Sequence, residues 1–408
     1  MRHFERISRG FVLPILLVGS SMVPLTGWTA TVTPVTQATF FAGQSFLDGT
    51  ATSVNGNVDV NVTPVVKFSD QWSVFPTYHG FYQGTQDIET LAGGGKLFRD
   101  STGHTLLLKS VHTLGPIKLK PSLGGSMEWL RETKDEDWGQ GLYDYRKANG
   151  GLEAEYNTRD TFGGRVAYDY YLLDFPNFQS LESAQDPTFS RELAGKDVLN
   201  NTNHMGTLSL WTPLPGRGRL DVTGLLNARY YADQPLVNAQ GQLTATDRKD
   251  NALAMDAVMA YPLPTLWDVR FLGNVGLRYG IQNSNQNHFD VPKNFYQANY
   301  YDYNEWRVSP HLSARFNENR WGITLGGYYE KRNYTNRTTQ DAGGNYLSEK
   351  MNITTGILRW GVAHALSANT TFRVDGSLGW SHSNTSYEDI FQYNYRTANY
   401  GIGFTYEY

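Results

Sequence analysis

The stretch whose reading decides the fold is YGIGFTYEY, residues 400–408. Tyr400, Ile402, Phe404, Tyr406 and Tyr408 take every second position, with only Gly401, Gly403, Thr405 and Glu407 between them. Successive side chains of a β-strand point to opposite faces, so this pattern makes one face bulky and oily and the other small and polar. An oily face of that size needs either a protein core or lipid against it. The rest of the chain decides between the two.

The alternation recurs along the whole sequence. VDVNVTPVVKF (58–68) sets Val58, Val60, Val62, Val66 and Phe68 against Asp59, Asn61, Thr63 and Lys67. IKLKPSLGGSMEW (117–129) sets Ile117, Leu119, Leu123, Met127 and Trp129 against Lys118, Lys120, Ser122 and Glu128. FGGRVAYDYYL (162–172), WDVRFLGNVGLRYGI (267–281), WRVSPHLSARF (306–316) and FRVDGSLGW (372–380) repeat the pattern. Such runs extend over ~9–15 residues, longer than the ~5–6 of an ordinary soluble strand. They match the ~9–11 residues a tilted strand needs to cross a bilayer. Trp72, Trp129, Trp267, Trp306 and Trp321 fall near run ends, where an interfacial girdle belongs.

Connections alternate in length too. Short turns are expected at 69–71, 115–116, 158–161, 213–218, 262–266, 317–320 and 366–369. Longer polar loops are expected at about 48–56, 86–101, 132–143, 176–202, 233–249, 284–302, 335–349 and 384–391. Short turns on one side and long loops on the other mark a transmembrane barrel. The expected fold is all-β, an antiparallel up-and-down barrel of about sixteen strands, or fourteen if the weak runs near 38–47 and 202–213 are discounted.

Composition agrees with that class. The chain has 408 residues, a net charge of -4 and aromatics at 14%, so nothing marks a nucleic-acid partner. It has no cysteine, which excludes disulfides, thiolate nucleophiles and Cys-ligated zinc. Arg2, Arg6 and Arg9 followed by FVLPILLVGSSMVPL read as a secretory signal over residues 1–30, with residues 31–408 as a single barrel domain. No later segment is a continuous apolar run of the ~20 residues a membrane helix needs.

A signal segment, alternating strands of this length and a final strand ending in an aromatic residue resemble Gram-negative outer-membrane β-barrel proteins, porin-like in outline. The resemblance implies an integral outer-membrane protein amid lipid and lipopolysaccharide. It further implies that Tyr400, Ile402, Phe404, Tyr406 and Tyr408 are the signal read by the barrel-assembly machinery. Tyr408 stands where the class most often has Phe, and keeps the aromatic character. The last hairpin also resembles the barrels of polysaccharide or lipoprotein export proteins, although the helical repeats those carry upstream are not visible here. Porins often form homo-oligomers, an arrangement the resemblance leaves open.

If the oily faces meet lipid, the opposite faces line the interior. There Arg165 and Asp169, Arg219 and Asp221, Asp268 and Arg270, Glu305 and Arg307, Glu330 and Arg332, and Arg373 and Asp375 recur at even spacing. Lys67, Lys118, Lys120, Arg229, Arg278, Arg315 and Arg359 add positive charge, and Glu128 negative. Unpaired ions in a dry core cost several kcal/mol each, and a barrel near sixteen strands is too wide for side chains to fill. The expectation is a water-filled channel for ions or small hydrophilic solutes, its selectivity tuned by lining charges. Alternatives are an export or assembly barrel and a surface-binding barrel.

The loop at 176–202 is the candidate constriction, with Glu182, Asp186, Arg191, Glu192, Lys196 and Asp197 as its charges. AGGGKLF (92–98) lacks the Ser or Thr and the helix of a phosphate loop. SHSN (381–384) carries the residue types of outer-membrane phospholipases at another spacing. The nine His residues show no paired metal spacing. No catalytic, cofactor or metal site is expected.

Overall fold

The computed structural model describes residues 30–51, 54–84, 100–131, 135–157, 162–180, 195–388 and 392–408. The expected signal segment, the 92–98 motif and the turn at 158–161 lie outside them. The described residues form a closed barrel of 16 antiparallel strands. The first half of the wall is β1 (Thr36–Leu47), β2 (Asn55–Val62), β3 (Trp72–Gln83), β4 (Asp100–Leu114), β5 (Ile117–Arg131), β6 (Tyr145–Asn157), β7 (Gly163–Asp174) and β8 (Asn201–Leu214). The second half is β9 (Gly218–Val237), β10 (Leu243–Leu266), β11 (Val269–Ser284), β12 (Tyr303–Phe316), β13 (Trp321–Gln340), β14 (Tyr346–Ala365), β15 (Thr370–Ser383) and β16 (Tyr395–Glu407). Both weak sequence runs are strands, β1 and β8. Short pieces at Thr31–Thr33 and Val65–Lys67 extend β1 and β2 past Pro34 and Pro64.

Each strand pairs with its neighbours in the chain, and β1 pairs with β16 from Gln37 opposite Glu407 to Leu47 opposite Thr397. Closure leaves no sheet edge, so the ladder satisfies the backbone of every strand where they overlap. The seam is a close fit. Phe41 of β1 lies over Gly401 and Gly403 of β16, and a Cβ on Gly401 would sit 2.3 Å from its ring and 2.6 Å from the Ala42 carbonyl oxygen. Glycine is needed there for the ring to lie flat on the wall.

Strand length is where the structure departs most from expectation. The segments 233–249 and 335–349, read as long loops, are mostly strand. β9 and β10 run 20 and 24 residues, and β13 and β14 run 20 residues each. These lengths exceed the ~9–11 residues of a crossing strand, so both hairpins rise past the bilayer as twisted ribbons. Register shifts at Tyr230/Pro235 and Asn333/Thr338 mark where they bend. Their tips are alike. Asn238 accepts backbone hydrogen bonds from Gln240 and Gln242, with Gly241 at φ +73°. Asp341 accepts from the Asn345 amide, with Gly344 at φ +75°.

A second departure is the turn expected at 262–266. β9 pairs with β10 only as far as Arg219 opposite Ala260, so Pro262 and Pro264 sit where β10 has outrun one neighbour. A missing N–H is tolerated on such an unpaired side. The strand therefore continues to Leu266, and the turn is made by Trp267 and Asp268, both at positive φ.

Replacing Gly401 by Val is expected to lower stability by about 1–3 kcal/mol, the usual range for overpacking. A urea titration followed by circular dichroism would show it as a lower midpoint. Adding Phe41→Ala should recover only part of the loss, because the Ala42 carbonyl remains in the way.

Candidate functional site: the inner wall of the barrel

The register gives every strand residue a face, and the faces agree all the way round the ring. Starting from the exposed row Tyr400, Ile402, Phe404 and Tyr406, the cross-strand partners define one outward face and one inward face. The outward face carries Leu123, Leu152, Val166, Leu226, Met255, Leu277, Leu325, Leu358 and Leu378, all open to the surroundings; Leu123 is 68% exposed and Leu226 61%. Burying a side chain of this kind is worth about 1.5–3 kcal/mol. These nine left in water would together forgo about 14–27 kcal/mol, as much as or more than the ~5–15 kcal/mol that holds a typical fold together. Hydrocarbon is the solvent that removes this penalty.

Aromatic residues bound the apolar band on both sides. Near the short turns are Phe68 stacked on Trp72, Phe316 stacked on Trp321, and Phe372 beside Phe404. Near the longer connections are Tyr78, His104 and Trp129, then Tyr170, His204 and Tyr230, then Trp306 and Tyr329. Two girdles around an apolar band, on a closed barrel with an even number of strands, are the mark of an outer-membrane barrel. The chain is an integral outer-membrane β-barrel. Its short turns are then periplasmic and its ribbons and loops extracellular.

Comparison with known proteins adds shape alone. No family model matches the sequence, and no curated protein matches it. Among solved structures, the barrel is similar to in-vitro folded OmpT, an outer membrane protein of Vibrio cholerae, at 11% identity and a TM-score of 0.48 over 93% of this chain and 98% of that one. It is similar to the outer membrane protein OpdK of Pseudomonas aeruginosa, at 9% identity and a TM-score of 0.45 over 92% and 99%. It is also similar to a bacterial polysaccharide outer membrane secretin, at 10% identity and a TM-score of 0.45 over 92% and 98%.

The inward face of the outer-membrane barrel holds the charges. Lys67, Lys118, Lys120, Glu128, Arg165, Asp169, Arg219, Asp221, Arg229, Arg270, Arg278, Glu305, Arg307, Arg315, Glu330, Arg332, Arg359, Arg373 and Asp375 all take inward register positions. Asp268 does not, since the displaced turn places it at the periplasmic rim. Two networks dominate. On β4 to β6, Lys120 bonds Glu153 at 2.6 Å and also Glu155, and Lys109 reaches Glu153 at 3.4 Å. On β10 to β13, Arg278 bonds Asp256 at 3.1 Å and Glu305 at 3.7 Å, Arg332 bonds Glu305 at 2.8 Å, and Arg307 bonds Glu330 at 2.6 Å. Lys109 and His79, which pairs with Asp59 at 2.7 Å, escaped the sequence reading. Their signal was the cross-strand partner, which only the register supplies.

A cavity of about 690 Å³ lies inside the barrel, lined by Asn57, Asn274, Ser309, His311, Thr324, Arg359, Arg373, Asp375 and Asn399. At ~30 Å³ per liquid water, it has room for on the order of twenty molecules. Its lining mixes these polar groups with Phe41, Val258, Tyr328 and Trp360 and includes the Arg373–Asp375 pair, whereas the two larger ion-pair networks occupy other parts of the wall.

Of the candidate constriction charges, Glu182, Asp186, Arg191 and Glu192 lie outside the described residues. Lys196 belongs to a two-residue strand opposite Gln179, and Asp197 follows it in a turn. The base of this loop is tied to the loop before β6: Asn177 donates to the carbonyls of Gly139 and Gly141 and to Asp144. In the SHSN segment the Ser383 hydroxyl donates to the Asn352 carbonyl at 2.8 Å, and Asn384 bridges the Asn352 amide and the Lys350 carbonyl. These contacts close the extracellular end of β14 against β15.

The extracellular ribbons are joined by a small hairpin, His288–Asp290 paired with Phe295–Gln297. Gln286 and Asn287 donate to the carbonyls of Pro235 and Val237, and Gln297 accepts from the Thr338 amide. Arg337 lies among the rings of Tyr300, Tyr334 and Tyr393, donating to the Tyr393 hydroxyl at 2.5 Å. Burial opposes its charge, and the facing phenols outweigh that effect, so the guanidinium pKa is raised.

Arg332→Met is expected to destabilise the barrel by about 1–3 kcal/mol, because Glu305 and Glu330 are only 12% and 11% exposed and would lose a partner. Arg219→Met should cost under about 1 kcal/mol, because that pair is solvated at the mouth. Denaturant midpoints of the two variants in the same detergent check the order.

Proposed function

We propose that the protein is a porin-like channel for passive diffusion of ions or small hydrophilic solutes across the outer membrane. The observation that carries this reading is the cavity inside a barrel whose inner wall carries an ion-pair network on each half. Ion pairs that keep some contact with solvent are stable in a hydrated passage, where neither partner loses its full hydration. Rings of charge along such a passage bias which ions cross it.

The surroundings proposed for this channel follow from its outer face. Arg146, Lys331 and Arg396 point outward near the extracellular girdle. No Lys, Arg, Asp or Glu takes an outward strand position near the periplasmic girdle among the described residues. Cations placed this way suit the phosphates of lipopolysaccharide in the outer leaflet. The row Tyr400, Ile402, Phe404, Tyr406 and Tyr408 suits recognition by the barrel-assembly machinery during insertion.

Purified, folded protein added to a planar bilayer is expected to give stepwise conductance increases. A correctly folded barrel that inserts and gives no steps would overturn the channel reading. It would turn attention to an export or assembly barrel that opens only with a partner.

A further inference from the structure

Strands β11 and β12 bring arginines face to face twice. Arg278 stands directly opposite Arg307, and nearer the periplasmic turns Arg270 stands directly opposite Arg315. Like charges in directly opposed positions repel. The wall resolves the first confrontation by interleaving carboxylates: Asp256 and Glu305 hold Arg278, and Glu330 holds Arg307. It leaves the second unresolved. Arg270 donates to the neutral side-chain oxygen of Asn319 at 2.6 Å. Arg315 has no hydrogen-bond or ionic partner among the described residues, and the residue opposite it on β13 is Gly322. Asp268 and Glu318, in the adjoining turns, make no ion pair with either arginine. Both side chains are exposed.

The position of this open pair matters. Asn274 and His311, opposed on the same two strands between the arginine pairs, line the interior cavity. A solute moving from that cavity to the periplasm passes Arg270 and Arg315. Guanidinium groups present a fixed fork of donors that matches carboxylate and phosphate oxygens. A wall that needed only bracing would carry carboxylates here, as it does one pair higher.

We propose that Arg270 and Arg315 form an oxyanion-binding station at the periplasmic mouth, which biases the channel toward small anionic solutes. The bias rests on the channel reading; the binding does not. Folded barrel in detergent is treated with phenylglyoxal, and modification of each arginine is followed by mass spectrometry. Potassium phosphate or potassium acetate should slow modification of Arg315 several-fold relative to potassium chloride at equal ionic strength, and should leave the carboxylate-paired Arg219 unaffected. Equal rates in all three salts would overturn the site. In planar bilayers under a potassium chloride gradient, Arg270→Gln with Arg315→Gln should lower the anion-to-cation permeability ratio several-fold while the conductance steps persist. An unchanged ratio would overturn the proposed bias. Protection of Arg315 without any conductance would sink the channel reading and uphold the oxyanion site.

Discussion

Everything in this molecule depends on the backbone finding all of its hydrogen bonds without water. In hydrocarbon an unpaired N–H or C=O costs several kcal/mol. A sheet can avoid that cost only by closing on itself. The β1–β16 ladder is therefore the contact that makes the other strand pairings tolerable in a bilayer. Its side chains are fitted to that role. The inward row of β16 is Thr397, Asn399, Gly401, Gly403 and Thr405, small enough for β1 to lay Phe41 across it. The outward row is large and lipid-solvated, so the same strand serves the seam with one face and the membrane with the other.

Closure at this strand number fixes a second condition. The bore is too wide for side chains to meet across it, so inward residues face water and one another along the wall. Ionised groups are then inexpensive, and neighbours on adjacent strands can pair. The chain from Asp256 through Arg278, Glu305, Arg332 and Glu330 to Arg307 spans four strands and stitches them together from inside. Glu305 and Glu330 are largely covered and the arginines more open, the arrangement expected where carboxylates sit close to the wall and the longer cations reach over them.

The transmembrane part was legible in the sequence because its two faces meet different solvents, and a period of two survives in the residue types. Residues such as Val166 and Arg165, or Leu277 and Arg278, announce their faces without help. Past the bilayer both faces of a strand are wet. The alternation fades in stretches such as 233–249 and 335–349, and polar composition there reads as loop although the ladder continues. The periplasmic turn after β10 failed for the opposite reason. Two prolines mimic a turn, and only the overhang beyond β9 explains why the strand passes through them and carries Asp268 out of the lining.

Alternation along one strand assigns a face to each residue, but not which charges neutralise which. Along one strand Arg278 and Arg270 look equivalent, as do Arg307 and Arg315 on the next. What separates them is the third strand on each side. Asp256 of β10 lies opposite Arg278 and Glu330 of β13 opposite Arg307, whereas Gly322 lies opposite Arg315. The electrostatic character of a barrel wall is thus a property of register. Sliding β13 by two residues would preserve every face and every apolar contact with lipid, yet it would exchange a braced arginine for an open one. Lipid enforces only the face of each residue, so it leaves the placement of open charge along the inner wall unconstrained.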